Sequence, residues 1–170
     1  MRRFLPVLAL LAAAPSQSDL KKPLLTSDLG GRELTFLTKA NEHGVLMNFL
    51  ADLAKTKGDS KSVRDLGGIL ATAQDGENSR FIQIAAGLGL HFKAQTPAAM
   101  KRLHAKLDPL TGPAFDTACL AELTVLTKEI VANYESGAKC QDAEIQAFAE
   151  QALPLAREKL SVLGKVSAVK

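Results

Sequence analysis

Apolar residues recur along this chain at spacings of three, four and seven, the pattern of helices that each bury one face. Between Arg32 and Lys57 the series is Phe36, Ala40, Met47, Leu50 and Ala54. Gly58-Asp59-Ser60 ends that helix and opens a second, Lys61 to Leu90, with Val63, Leu66, Leu70, Phe81, Ile84 and Leu88 on one side. Thr96-Pro97 reads as a cap followed by proline at the first helical position, predicting a short helix over Ala98 to Leu107. Asp108-Pro109 and Gly112-Pro113 close that segment. A fourth helix, Ala114 to Glu135, carries Leu120, Leu123, Ile130 and Tyr134, and Ser136-Gly137 stops it. The last, Asp142 to Leu163, turns Ile145, Phe148, Ala152, Leu155 and Val162 inward and should kink at Pro154, which lacks an N–H and crowds the preceding turn.

The expected fold is therefore all-α: a four-helix, ferritin-like bundle of two hairpins. A connection of roughly 25 residues, containing the short helix, links them and can run the length of the bundle, making the second and fourth helices parallel. Gly67-Gly68 lowers helix propensity by about 1 kcal/mol per glycine relative to alanine, and in exchange admits a neighbouring helix at close range. Strand-like alternation and 20–50-residue repeats are both missing from the pattern.

Polar residues interrupt the apolar stripes. Gln74 and Glu77 fall within the second helix's series, Thr127 within the fourth's and Lys159 within the fifth's, while His43 lies between Ala40 and Met47 on the first. An unpaired polar group in a core costs on the order of 1–3 kcal/mol, so each needs a partner. One reading is a site in the bundle core. The other is a set of boundary residues: Lys159 reaching water, Thr127 bonding back to the Leu123 carbonyl, and Gln74 on a flank. On the second reading, apolar replacements of Gln74, Thr127 and Lys159 together cost no stability.

Composition adds a compartment and removes some partners. Met1-Arg2-Arg3, the eleven-residue apolar run Phe4 to Ala14, and small residues through Ser18 have the layout of a secretory signal, cut after Ser16 or Ser18. That run is well short of the ~20 residues a membrane-spanning helix needs. The expected domains are a signal over 1–18, a flexible lead-in over 19–31, the bundle over 32–164 and a tail over 165–170, in a periplasmic or secreted protein with no transmembrane segment after processing. Losing Arg2 and Arg3 from the 21 basic residues leaves 19 against 18 acidic ones. With near-neutral charge, no Trp and one Tyr, nucleic acid is not an expected partner.

Cys119 and Cys140 stand near the starts of consecutive antiparallel helices, roughly 25 Å apart at ~1.5 Å per residue. A disulfide needs Cα atoms within ~7 Å, so two free thiols are expected.

Several local sequences then carry a family resemblance. They are Phe36-Leu37-Thr38-Lys39-Ala40, Leu50-Ala51-Asp52-Leu53-Ala54, Leu110-Thr111-Gly112-Pro113-Ala114-Phe115-Asp116, Phe148-Ala149, and Leu153-Pro154-Leu155-Ala156-Arg157-Glu158. From Leu34 to Leu163 the chain resembles the DUF4142 family of exported bacterial ferritin-like bundles. The resemblance implies Asp-His pairs on two helices, a further histidine and two glutamates. Here those positions hold Ala73-Gln74, Leu126-Thr127, Lys159, Met47 and Phe49. Gln and Thr are poor metal ligands and a protonated Lys repels a cation, so no cofactor and no metal site are expected.

His43, His91 and His104 match no metal spacing. His43 with Met47 one turn on could at most hold copper(I) weakly. Glu122 and Glu129, seven residues apart, describe a solvated flank as readily as paired carboxylates. No nucleophile–base pair can be nominated, and no catalytic residues are expected.

The favoured function is a non-enzymatic binding or interaction protein of the cell envelope, its partner an envelope protein or small ligand. The resemblance adds a stress-related role. The alternatives are a metal- or redox-active ferritin-like protein, and a small apolar-ligand carrier using a cleft opened by Gly67-Gly68 and the Pro154 kink.

Overall fold

The computed structural model describes residues 29–92 and 97–168. The expected export signal, the lead-in through residue 28 and the Thr96 cap lie outside the described residues. Five helices make up the fold: α1 (Gly31–Lys57), α2 (Lys61–Gly87), α3 (Ala98–Leu107), α4 (Gly112–Gly137) and α5 (Ala143–Ala168).

The helix ends show where local chemistry outweighs the apolar pattern. α2 stops at Gly87, short of Leu90. Gly89 adopts φ +70°, a left-handed conformation that glycine takes without penalty. The N–H of Leu90 then donates to the Ala85 carbonyl at 2.8 Å and that of Gly89 to Ala86 at 3.0 Å, the paired bonds of a Schellman stop. Leu88 is still buried, so it kept the apolar stripe going beyond the helix itself. Pro97 precedes α3 in an extended conformation and is not its first helical residue. Gly112 opens α4 at φ +59°, and Pro113 follows in the first turn, where its missing N–H costs nothing. α5 begins beside Asp142, whose Oδ1 accepts from the N–H groups of Glu144 at 2.9 Å and Ile145 at 3.0 Å. It continues through Ala168, where the sequence pattern predicts a tail from 165, and Pro154 lies inside it.

Contacts between the helices fix the topology. α1 packs on α2 and on α4, and α4 on α5. Near the start of α1, Arg32 Nη1 donates to the Lys139 carbonyl at 2.8 Å, and Asn133 Nδ2 to the Phe36 carbonyl at 3.2 Å. Near its end, Lys57 Nζ donates to the carbonyls of Leu107 at 3.0 Å and Asp108 at 2.6 Å. The start of α1 thus meets the end of α4, so these helices are antiparallel, and α2 and α4 run in the same direction. Leu88 and Thr111 therefore stand toward opposite ends of the bundle, and α3 touches α1 and α4.

A single core holds the four long helices together. Phe36, Leu37, Met47 and Leu50 from α1 meet Leu70 from α2, Phe115 and Leu123 from α4, and Ile145 and Leu163 from α5. At one end the rings of Phe36, Tyr134, Phe148 and Phe81 stand 5.8–6.5 Å apart in tilted and edge-on pairs. At Gly67 the backbones of α1 and α2 approach closely. A Cβ there would meet the Lys55 nitrogen, and would lie 2.7 Å from the Ala51 carbonyl oxygen and 2.9 Å from the Ala54 carbonyl carbon. Gly68 has open space instead. Cys119 and Cys140 are both buried free thiols, one near the start of α4 and the other just past its end.

One carboxylate ties the two hairpins together. Asp116 of α4 accepts from the N–H of Asp59 at 2.8 Å and of Ser60 at 2.9 Å, fixing the turn that starts α2. Burial opposes its ionisation, but the Ser60 and Asp59 donors and nearby Arg64 outweigh that and hold its pKa below the usual carboxylate value. Asp116→Ala leaves two donors unsatisfied and is expected to cost about 2 kcal/mol near neutral pH. Because the folded-state pKa is depressed, this stability is complete above the ordinary carboxylate value and fades as pH falls through the lowered one. Urea unfolding at a series of pH values should show parent and variant converging in acid. A constant gap would mean that the carboxylate's charge contributes nothing.

Candidate functional site

Of the interrupting polar residues, His43, Gln74, Glu77 and Lys159 come together, whereas Thr127 keeps to its own helix. Lys159 of α5 does not send its ammonium to water. Its Nζ donates to Glu77 Oε1 of α2 at 2.7 Å, and the two side chains are only 10% and 11% exposed. The second oxygen, Glu77 Oε2, accepts from the Tyr134 hydroxyl of α4 at 3.5 Å, a marginal bond. Burial first, then the Glu77 charge, push the Tyr134 phenol above its ordinary pKa.

Gln74 is not on a flank either, being 4% exposed. Its Nε2 donates to Asn78 Oδ1 at 2.9 Å, while its Oε1 has no hydrogen-bond partner. Thr127, fully buried, donates to the Leu123 carbonyl at 2.7 Å as the helix pattern predicts. His43 Nδ1 is buried without a partner, and Nε2 lies 3.9 Å from Glu129 Oε2. Burial lowers the His43 pKa, so this is a contact of a neutral ring and not an ion pair. His43, Gln74, Glu77, Asn133 and Tyr134 surround a space of about 10 Å³. That is roughly the volume that holds one water molecule.

A second opening lies between α2 and α5, which of the long neighbouring helices pack least closely. A groove of about 460 Å³ runs between them. Leu66, Ile69, Leu70 and Ala73 form its α2 wall, and Phe148, Ala152, Leu155 and Val162 its α5 wall. The Glu77–Lys159 pair crosses its floor, with Arg80 and Glu158 also in the lining. Ile69 is 64% and Leu155 51% exposed at the lips. Leu155 therefore does not face inward as its helical spacing predicts. The inner face of α5 runs instead through Ile145, Phe148, Ala149, Ala152, Ala156 and Leu163. Leu155, Lys159 and Val162 sit to one side of that face and line the groove. The cleft is also not opened by Gly67-Gly68: neither lines it, Gly67 is sealed against α1, and Pro154 is outside the lining.

The other candidates disperse. Glu122 pairs with Lys106 of α3, and Glu129 is exposed. His104 lies against Phe49 in a tilted pair, ring centres 4.4 Å apart, with Asp108 at 3.2 Å. His91 is exposed just past α2, and Met47 is fully buried. Among the described residues no group of three or more His, Cys, Asp or Glu side chains converges as a metal site would. Burial, reinforced by Asp116 and Glu122, raises the Cys119 thiol to about 12, and burial with Glu33 raises Cys140 to about 11. Both are thiols, not nucleophilic thiolates, at neutral pH. Arg80 and Tyr134 escaped the sequence reading as site residues. Arg80 stands three residues after Glu77 on one helix face, which was the available signal.

Fold and groove define an all-helical bundle with an open, mainly apolar cleft on one side. The sequence model of DUF4142, a domain of unknown function, matches residues 21–165, and the chain belongs to that family. No curated protein and no solved structure matches it. Among the described residues no helix is long and apolar enough to cross a membrane. The residues that carry the family resemblance do structural work: Phe36, Phe115, Phe148 and Ala149 are buried core, Gly112 supplies a left-handed turn, and Asp116 pins the α1–α2 turn.

Proposed function

We propose that this is an exported, non-enzymatic binding protein that takes an apolar ligand into the α2/α5 groove. The observation that carries the reading is the groove itself. Its size falls within the ~300–1,000 Å³ of small-molecule sites, and like them it combines apolar walls with a few placed polar groups. Export is supported by the basic start and short apolar run at the head of the sequence.

The test uses a neutral fluorescent reporter, N-phenyl-1-naphthylamine, which brightens in apolar surroundings. The parent protein should bind it saturably. Ala73→Trp, which fills the groove from an exposed position, should abolish the signal while circular dichroism stays unchanged. Binding that survives in the filled variant, or no binding by the parent, removes the groove as a ligand site. Stoichiometric iron, manganese, zinc or copper in protein purified from its host would favour the metal-active alternative instead.

A further inference from the structure

We infer that the groove's ligand is a single-chain anionic amphiphile, a free fatty carboxylate, with Arg80 as its headgroup residue. This rests on the α2/α5 groove being a ligand site.

Shape restricts the occupant first. The lining on α2 runs from Leu66 to Arg80, about 21 Å at ~1.5 Å per residue. A partner helix of that length, about 10 Å across, has a volume on the order of 1,600 Å³. A body of that size cannot enter the 460 Å³ groove whole. A helix could only rest on the lips, whereas one extended alkyl chain fits between the walls.

Charge then selects the head. Glu77 and Lys159 neutralise each other across the floor at 2.7 Å. Arg80, one turn beyond Glu77, has no carboxylate partner among the described residues, and its guanidinium stands 5.9 Å from the centre of the Phe148 ring. That leaves one uncompensated cation at this end of the groove, held beside the apolar wall on which an alkyl chain would lie. A guanidinium presents a planar fork of donors that matches a carboxylate. Glu158, exposed in the lining, lies about 15 Å further along α5 than the Phe148 beside Arg80, at ~1.5 Å per residue, and its negative charge disfavours the reversed orientation. The chain therefore lies with its carboxylate on Arg80 and its tail toward Leu66 and Val162.

The experiment compares dodecanoate, dodecanol and dodecyltrimethylammonium, all below their micelle concentrations, as competitors for the neutral reporter on the full chain. Dodecanoate should displace it at concentrations about tenfold lower than dodecanol, as one charge-assisted hydrogen bond would give. The cationic surfactant should be the weakest. Arg80→Gln should erase the dodecanoate advantage while dodecanol binds as before, and Arg80→Lys should restore part of it. If dodecanol equals dodecanoate and Arg80→Gln changes neither, the headgroup assignment is overturned and the groove remains an apolar site. If none of the three competes with a reporter that does bind, the fatty-ligand assignment falls. If the reporter itself fails to bind, the groove reading falls with it.

Discussion

Gly67→Ala should lower the unfolding free energy by about 3 kcal/mol, whereas Gly68→Ala, one residue away, should raise it by about 0.5–1 kcal/mol. The two glycines are adjacent in one helix and carry the same helix-propensity penalty, which alanine relieves in both cases. They differ in what a methyl group would meet. At position 67 it would press into the α1 backbone around Ala51, Ala54 and Lys55, where backbone cannot rotate aside as a side chain can. Overpacking of that kind costs ~1–3 kcal/mol, occasionally more, and the backbone contact places this case at the upper end. At position 68 the methyl group meets nothing. Urea unfolding of the two variants reads both signs. Equal midpoints would mean that the α1–α2 crossing is looser than described.

The second large effect belongs to the ion pair. Lys159→Met should cost about 2 kcal/mol, because it leaves the Glu77 carboxylate at the groove floor without its cation. Breaking a fully buried pair from one side costs ~3–5 kcal/mol, and replacing both partners by apolar groups is often neutral. The lower figure fits a pair that forms part of an open groove. Glu77→Leu combined with Lys159→Met should lie within about 1 kcal/mol of the parent, giving a positive coupling in a double-mutant cycle. Additive single effects would show that the two charges do not depend on each other. This also revises the expectation that apolar replacement of Gln74, Thr127 and Lys159 together costs no stability. Thr127 uses only a local backbone acceptor and Gln74 keeps one orphaned oxygen, so those two tolerate it. Lys159 does not, unless Glu77 is replaced as well.

The helices were legible because each buries a stripe, and a stripe writes its period into the sequence. Their ends were less legible wherever an apolar residue continued the period past the last helical turn, as Leu88 does beside Gly89. The bond of Thr127 is legible because its partner is four residues away. The Glu77–Lys159 pair was not, because its members are 82 positions apart and neither helix alone says how it faces the other. The groove was invisible for a related reason. It arises from how closely α2 and α5 approach, a property of the assembled bundle. The pattern that assigned Leu155 to the interior reports helical phase only to within about one residue's turn, and the lip of the groove lies within that margin.

The direction of the helices gives the molecule a polarity. α1 sets out from the pole where the aromatic rings gather, and α5, running opposite to α4, finishes at the other. Entry and exit are therefore about 40 Å apart, the length of a 27-residue helix at ~1.5 Å per residue. Joining Ala168 directly to Gly31 of one copy would demand a linker long enough to cross the whole bundle.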